Sequence, residues 1–119
     1  MHTVLVVEDD STLRAVIRLV LEREGYQISE AQNGRAALTA MAGEMPDVAV
    51  VDLKMPVMDG GELIKHMRAD ARLAAIPIVL LSGFGENIDG GHAADVVLAK
   101  PFEPQRLLQR LRTLVAPSS

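Results

Sequence analysis

Residues 47–61, DVAVVDLKMPVMDGG, contain the pattern on which the fold prediction depends. Residues 48–51 form an unbroken apolar run that ends in a carboxylate, Asp52. A loop containing Pro56 and Gly60 follows before helical spacing resumes. A strand that is apolar at every position is typical of the inner strands of a parallel sheet, which are covered on both faces. The stretch therefore predicts a buried parallel strand that delivers one acid to a loop.

The same alternation of apolar strand and amphipathic helix extends over the whole chain. Sheets built this way have helices on both faces, and handed crossovers limit them to a few doubly wound topologies. We therefore predict an α/β fold with a doubly wound, five-stranded parallel sheet. The predicted strands cover 3–7, 26–31, 47–53, 76–82 and 96–99, and the predicted helices cover 11–25, 34–42, 62–71 and 107–115, with a weaker helical region at 83–94.

Composition excludes several classes of protein. The 119 residues carry a net charge of -4 without a basic cluster, which argues against direct nucleic-acid binding. No cysteine is present, so disulfides and thiolate metal sites are excluded. The apolar runs are too short to span a membrane, and we expect a cytoplasmic protein. One domain is expected over residues 1–116, followed by a disordered tail at 117–119.

Five polar residues are predicted to meet at the carboxyl edge of the sheet, where ligands of such folds bind. Clustered carboxylates repel one another unless a cation neutralises them, and an all-oxygen site suits Mg²⁺. Phosphoryl transfer needs positioning and charge neutralisation, which a divalent metal, an ammonium group and a hydroxyl supply. The pattern predicts an aspartate that accepts a phosphoryl group. The residues are Glu8, Asp9, Asp52, Ser82 and Lys100.

Four motifs in this order resemble the receiver domains of bacterial two-component response regulators, of the stand-alone or hybrid-kinase type. The resemblance covers residues 3–115 and implies a flavodoxin-like strand order, 2-1-3-4-5. The motifs are VLVVEDDSTLR at 4–14, VVDLKMPVMDG at 50–60, IPIVLLSG at 76–83 and LAKPF at 98–102.

The resemblance implies a metal site for Mg²⁺ or Mn²⁺ around the phosphoacceptor, Asp52. Asp9 matches the acid that binds the metal directly. Glu8 stands where the family usually has a second Asp that acts through a metal-bound water. Lys54 stands where the backbone carbonyl is a metal ligand.

Further residues match the positions that contact the phosphoryl group. Ser82 resembles the switch hydroxyl, the amide of Gly83 would add a donor, and Lys100 matches the family's lysine. The Lys100-Pro101 bond resembles the family's cis peptide. Pro56, Gly60 and Pro101 are predicted to shape the loops around the site.

The implied function is that of a phosphoacceptor, not an enzyme, which assists its own phosphorylation and slow autodephosphorylation. The implied partners are a sensor histidine kinase or histidine phosphotransfer protein and a downstream protein target, and the implied state is a monomer or weak dimer. We expect no output domain after residue 115, and therefore signalling by protein binding or relay. Two alternatives remain: a receiver-like interaction module that works without phosphorylation, and an aspartyl phosphatase, disfavoured because position 54 is Lys.

Three features depart from the family pattern. Glu8 is one methylene longer than Asp. Val97 occupies the position of the aromatic switch residue, so we interpret it as a degenerate switch. The segment 82–100 is roughly one helical turn shorter than in typical receiver domains. It also contains four glycines, which disfavour helix: Gly83, Gly85, Gly90 and Gly91. We therefore predict a fourth helix that is short, displaced or partly disordered.

Some of these residues also have purely structural explanations. Asp10 is predicted to cap the first helix, and Asp59 the third. Ser82 and Lys100 also fit an ordinary strand end and an exposed lysine. The three histidines are predicted to lie at the surface, and the methionines at 41, 45, 55, 58 and 67 to fill gaps in the core and loops.

Overall fold

The computed structural model describes residues 2–83 and 93–115 and contains one parallel sheet with the order β2-β1-β3-β4-β5. The order and the doubly wound topology confirm the predicted fold class. The strands are β1 (Thr3–Val7), β2 (Gln27–Ala31), β3 (Val48–Asp52), β4 (Ile78–Ser82) and β5 (Val96–Ala99), and the described helices are α1 (Ser11–Arg23), α2 (Gly34–Gly43), α3 (Gly60–Ala69) and α4 (Pro104–Leu114).

Each face of the sheet carries its own hydrophobic core. In β1, Leu5 and Val7 point to the layer of α2 and α3, whereas Val4 and Val6 point to the layer of α1 and α4. Successive side chains of a strand point to opposite faces, so a strand covered on both faces must be apolar throughout. Every residue of β3 and β4 is buried, as this arrangement requires.

Helix ends follow the predicted capping chemistry. The Asp10 side chain accepts hydrogen bonds from the amides of the first turn of α1, and Asp59 forms a capping box with Glu62 at the start of α3. Gly25 adopts a φ of 93° just after α1, a conformation that glycine enters without steric cost. The predicted caps, Asp10 and Asp59, are confirmed, and α1 ends at Arg23, two residues before the predicted limit.

One prediction is wrong, and two others concern residues outside those that the structure describes. The expectation that Met45 fills a gap is wrong, because its side chain is 44% exposed in the loop before β3. The predicted irregular fourth helix falls mainly on residues 84–92, outside the described residues, as does the predicted tail at 117–119. Within the described ranges, no helix is both long enough and apolar enough to cross a bilayer.

Arg68, near the end of α3, anchors the chain where it enters β4 and β5. Its guanidinium donates to the backbone carbonyls of Ala74, Ile76 and Ala93 at 2.7–2.9 Å, and to the Asp95 carboxylate at 3.0 Å. Hydrogen bonds from a charged donor are stronger than neutral ones. The arginine thus fixes the start of the strand that leads to Lys100.

Candidate functional site

Three carboxylates meet at the carboxyl edge of the sheet. Glu8 and Asp9 follow β1, and Asp52 ends β3. The two strands pair in parallel, with Val7 opposite Val51, so their ends lie side by side. Carboxylate oxygens of the three acids lie within 4.8 Å of one another, and Glu8 and Asp52 are almost fully buried. The fold therefore brings together the acids that the sequence places at two distant positions.

Lys100 neutralises part of this charge. It follows β5 directly, and its backbone amide donates to the Ser82 carbonyl at 2.7 Å, which fixes the residue beside the end of β4. Its Nζ lies 2.6 Å from Asp52 Oδ1 and 3.4 Å from Glu8 Oε1. The following bond to Pro101 is cis, as the resemblance implies. The interpretation of Lys100 as an ordinary exposed lysine does not fit these contacts.

Burial perturbs the ionisation of the pocket. The pKa of Glu8 is raised from 4.5 to about 7. Removal from water is the largest cause and the nearby charge of Asp52 adds to it, while the Asp10 amide and Lys100 offset part of the increase. Burial alone would lower the pKa of Lys100, but its hydrogen bond to Asp52 and the charge of Glu8 outweigh burial and raise it. The ammonium form is therefore favoured, while Glu8 lacks enough positive charge around it.

The donor set fits a hard divalent cation. Three carboxylates and one ammonium leave two negative charges uncompensated when all are ionised. Glu8 Oε1 is buried and accepts no hydrogen bond from the residues that the structure describes, with Lys100 only at ion-pair distance. A buried acceptor without a hydrogen bond is energetically costly unless another ligand satisfies it. Oxygen donors at this spacing suit Mg²⁺ or Mn²⁺.

Ser82 and Gly83 lie at the carboxyl end of β4. Asp52 lies opposite Leu81 in the sheet, and Ser82 lies opposite Ala99, the residue before Lys100. Ser82 is buried at 6% exposure, and Gly83 is half-buried. The end of β4 thus lies between the strand that carries Asp52 and the strand that leads to Lys100.

The loop after Asp52 turns back against the strand that it leaves. The Gly60 amide donates to the Leu53 carbonyl at 2.8 Å, and a Cβ at position 60 would collide with the carbonyl oxygen of Asp52 and lie 2.9 Å from Leu53 Cα. Only glycine fits so close an approach of two backbones. Lys54, whose side chain is exposed, lies within this loop.

The middle of this loop contains a strained residue that sequence analysis missed. The Met58 amide donates to the Pro56 carbonyl at 2.7 Å, which closes a γ-turn centred on Val57. Val57 has a φ of 70° and is 74% exposed. Positive φ is a genuine outlier for a β-branched residue. The Met58 carbonyl accepts from the Gly34 amide at 2.9 Å, which ties the loop to the start of α2.

A cleft of about 430 Å³ adjoins the acid cluster. Gly83, Lys100 and the exposed side chain of Val16 are among the residues that line it. The sequence gives no local signal for this cleft, because it forms between α1 and the segment from Lys100 to α4. Its other lining residues are Leu13, Ile17, Val20, Pro101, Phe102, Pro104 and Leu107.

Val97 lies within β5, three positions before Lys100. It pairs with Leu80 of β4, and its side chain is 44% exposed. The structure therefore places an aliphatic, partly exposed side chain at the position where the resemblance implies an aromatic one.

Comparison with known proteins gives a consistent result. The family model of the response regulator receiver domain matches residues 4–112. The chain is 33% identical over 117 residues to the phosphate regulon transcriptional regulatory protein PhoB of Pseudomonas aeruginosa, covering 95% of this chain and 51% of PhoB. It is 38% identical over 116 residues to the response regulator MprA of Mycolicibacterium vanbaalenii, covering 94% and 49%. The chain thus spans about half the length of these curated relatives.

Solved structures give the same result for the fold. A putative response regulator from Chloroflexus aurantiacus superposes with a TM-score of 0.90 at 35% identity, covering 98% of both chains. The signal receiver domain of a signal transduction histidine kinase from Syntrophus aciditrophicus superposes with a TM-score of 0.92 at 28% identity, covering 100% of this chain and 97% of that one. Together with the matched sequence motifs, these likenesses show that the chain belongs to the response regulator receiver domain family of two-component systems.

Proposed function

We propose that Asp52 accepts a phosphoryl group from the phosphohistidine of a sensor histidine kinase or histidine phosphotransfer protein, in a Mg²⁺-dependent reaction. The observation that carries this proposal is the position of Asp52: buried at the end of β3, 2.6 Å from an ammonium group and within 4.8 Å of two further acids. A buried carboxylate in such surroundings needs a counterion. The charged groups around it can stabilise the charge that develops during phosphoryl transfer.

The reaction forms a bond between an Asp52 carboxylate oxygen and phosphorus, and the phosphorus–nitrogen bond of the phosphohistidine breaks. The electron pair of that bond returns to the imidazole of the donor. Glu8, Asp9, Asp52 and the Lys54 carbonyl would hold Mg²⁺, which supplies positive charge to the phosphoryl oxygens when it is bound. The chain's own contribution is to hold the acceptor oxygen in place and to exclude water from it.

Lys100, Ser82 and Gly83 bind the phosphoryl group in the product. The ammonium of Lys100, paired with Asp52 Oδ1 before transfer, moves to a phosphoryl oxygen once the carboxylate has become an acyl phosphate. The Ser82 hydroxyl and the Gly83 amide add hydrogen bonds from the neighbouring strand end. Slow hydrolysis of the acyl phosphate then returns the chain to its starting state, so it acts as a phosphoacceptor and not as an enzyme.

Intact-mass spectrometry tests the proposal. The protein is incubated with Mg²⁺ and acetyl phosphate, and one added phosphoryl group is expected. Asp52→Asn keeps the shape of the side chain but lacks the nucleophilic oxygen, so it should remain unmodified, as should the wild type in EDTA. Folded wild type that stays unmodified even with an authentic donor kinase would refute the proposal.

The protein that donates the phosphoryl group docks on the apolar cleft between α1 and α4. Support comes from continuity, because Lys100 lines the cleft and also pairs with Asp52. A donor protein bound in the cleft would therefore have its phosphohistidine next to Asp52. Val16→Asp in the cleft should slow transfer from the donor protein but leave phosphorylation by acetyl phosphate unchanged.

Leu19→Asp is the matched control for this docking test. Leu19 lies on the same helix and is 53% exposed, similar to Val16 at 48%, but it does not line the cleft. Equal slowing by both substitutions would assign the effect to α1 in general and refute docking in the cleft.

The phosphorylated chain signals through phosphorylation-dependent protein binding or relay. The aliphatic side chain of Val97 favours the alternative of a phosphorylation-independent interaction module, because it lacks the ring that couples the pocket to the β5 face in the family pattern. A Mg²⁺ titration separates the two functions. A folded wild type that does not bind Mg²⁺ would favour the alternative.

A further inference from the structure

Arg14, in the second turn of α1, joins the metal-site segment to β2. Its Nη1 donates to the backbone carbonyl of Glu8 at 2.7 Å, and its Nε donates to Glu30 Oε1 at 3.0 Å. The side chain is only 20% exposed. One guanidinium therefore bridges the end of β1 and a carboxylate of β2, the strand that pairs with β1.

The carbonyl that Arg14 holds belongs to the peptide group between Glu8 and Asp9. This peptide group is planar, so a hydrogen bond that holds its carbonyl also holds the orientation of the backbone on both sides of it, at Glu8 and at Asp9. The flanking groups are held as well: the Glu8 amide donates to the Ala31 carbonyl at 3.0 Å, and the Asp10 amide donates to Glu8 Oε2 at 3.1 Å. Arg14 restrains the carbonyl between these two amides.

We infer that Arg14 is a positioning residue for the metal site, acting through the Glu8-Asp9 peptide to align two carboxylates for Mg²⁺. The inference rests on the proposed function, since it concerns the metal that the reaction uses. Outer-shell hydrogen bonds that orient metal ligands typically change metal affinity by about 10- to 100-fold when removed.

The sign of the effect separates positioning from simple electrostatics. Arg14 and Mg²⁺ are both cations, so removal of Arg14 without any change of geometry would strengthen Mg²⁺ binding. Loss of alignment has the opposite effect and weakens binding. A weaker affinity in an Arg14 variant is therefore explained by geometry and not by charge.

Arg18 is a matched control on the same helix face. Its Nη1 pairs with Glu30 Oε2 at 2.6 Å, and its Nε pairs with Glu22 at 3.1 Å. It shares the Glu30 carboxylate with Arg14, but the structure gives it no hydrogen bond to Glu8 among the described residues. Arg18→Ala removes the same charge and part of the same ion-pair network while leaving the Glu8 carbonyl restrained.

The experiment titrates Mg²⁺ into wild type, Arg14→Ala, Arg18→Ala and Arg14→Lys, with amide chemical shifts followed by NMR. Thermal unfolding in EDTA measures the metal-free stability of each protein. Arg14→Ala is expected to bind Mg²⁺ about 10-fold more weakly than wild type, and Arg18→Ala within about 2-fold of it. Arg14→Lys keeps the charge but loses the two-pronged contact, and at least about 3-fold weaker binding is expected.

Wild-type affinity in Arg14→Ala, or equal weakening in Arg14→Ala and Arg18→Ala, would overturn the inference. If Arg14→Ala does not fold, Arg14→Lys decides, and wild-type affinity in that variant overturns it. Failure of the wild type itself to bind Mg²⁺ would instead contradict the proposed metal-dependent function, so the two failures are distinguishable.

Discussion

Substitution of Glu8 by Gln should stabilise the metal-free protein at alkaline pH and destroy its response to Mg²⁺. Burial raises the pKa of Glu8 to about 7, so the folded state binds this proton more tightly than the unfolded state does. The stability that the protonated form provides is fully present below pH 4.5 and is lost as the pH rises through 7. Above pH 7, the metal-free wild type therefore contains a buried carboxylate without adequate compensation.

The magnitude follows from the size of this pKa shift. A change from 4.5 to about 7, at ~1.4 kcal/mol per pH unit, corresponds to ~3 kcal/mol of stability lost between acid and alkaline conditions. Gln is neutral at every pH and keeps an oxygen for the Asp10 amide. We expect the free energy of unfolding of the Gln variant to exceed that of wild type by ~2 kcal/mol at pH 8 in EDTA. This difference should disappear near pH 4.5.

Urea unfolding followed by far-ultraviolet circular dichroism measures this difference, in EDTA and in excess Mg²⁺. The proposed Mg²⁺ site exists only in the folded state, so Mg²⁺ should stabilise wild type much more than the variant, and the difference in stability should narrow or reverse. Asp10→Asn is the control, because it removes an adjacent negative charge outside the cluster and keeps the helix cap. Lower stability of the Gln variant than of wild type at pH 8 in EDTA would refute this reasoning.

Three further substitutions test the surroundings of the site by urea unfolding. Gly60→Ala should destabilise the fold by ~2 kcal/mol and weaken Mg²⁺ binding, because the added Cβ would collide with the Asp52 carbonyl. Gly43→Ala is the control and should be neutral, because a Cβ there has nothing within 4 Å. Equal effects of the two substitutions would contradict this explanation. Val57→Gly should stabilise by ~0.5–1 kcal/mol through release of backbone strain, and a loss of stability would show that the strain is absent. Arg68→Ala should lower the free energy of unfolding by ~3 kcal/mol, because four hydrogen bonds are lost. Arg72→Ala, at an exposed position, should lower it by no more than ~0.5 kcal/mol. Similar losses in the two variants would show that Arg68 does not anchor the chain.

The strands and the acids at their ends were predictable because they depend on local pattern. Apolar runs without alternation indicated strands covered on both faces, and Asp10 and Asp59 preceded helices in the positions that caps require. Parallel strands place their carboxyl ends at one edge, so the meeting of Glu8 and Asp52 followed from topology. Residues 84–92 lie outside the described residues, and the predicted irregular helix there stays a prediction.

Other features depend on tertiary distances that no local pattern contains. Arg14 and Glu30 are 16 positions apart, and their contact arises only once α1 packs beside β2. Gly60 was predicted to shape its loop, but the backbone approach behind this role depends on how tightly the loop folds onto β3. Met45 was expected to fill a gap because methionine adapts to irregular cores, yet the loop before β3 leaves it exposed.

The most direct test of the central claim locates the phosphoryl group on the chain. Protein treated with Mg²⁺ and acetyl phosphate is reduced with borohydride, which converts an aspartyl phosphate to homoserine, and is then digested and sequenced by mass spectrometry. Homoserine is expected at Asp52 alone, and none is expected in EDTA. Homoserine at Asp9 or another acid, or its absence from protein shown to be folded and able to bind Mg²⁺, would contradict the assignment of Asp52 as the phosphoacceptor.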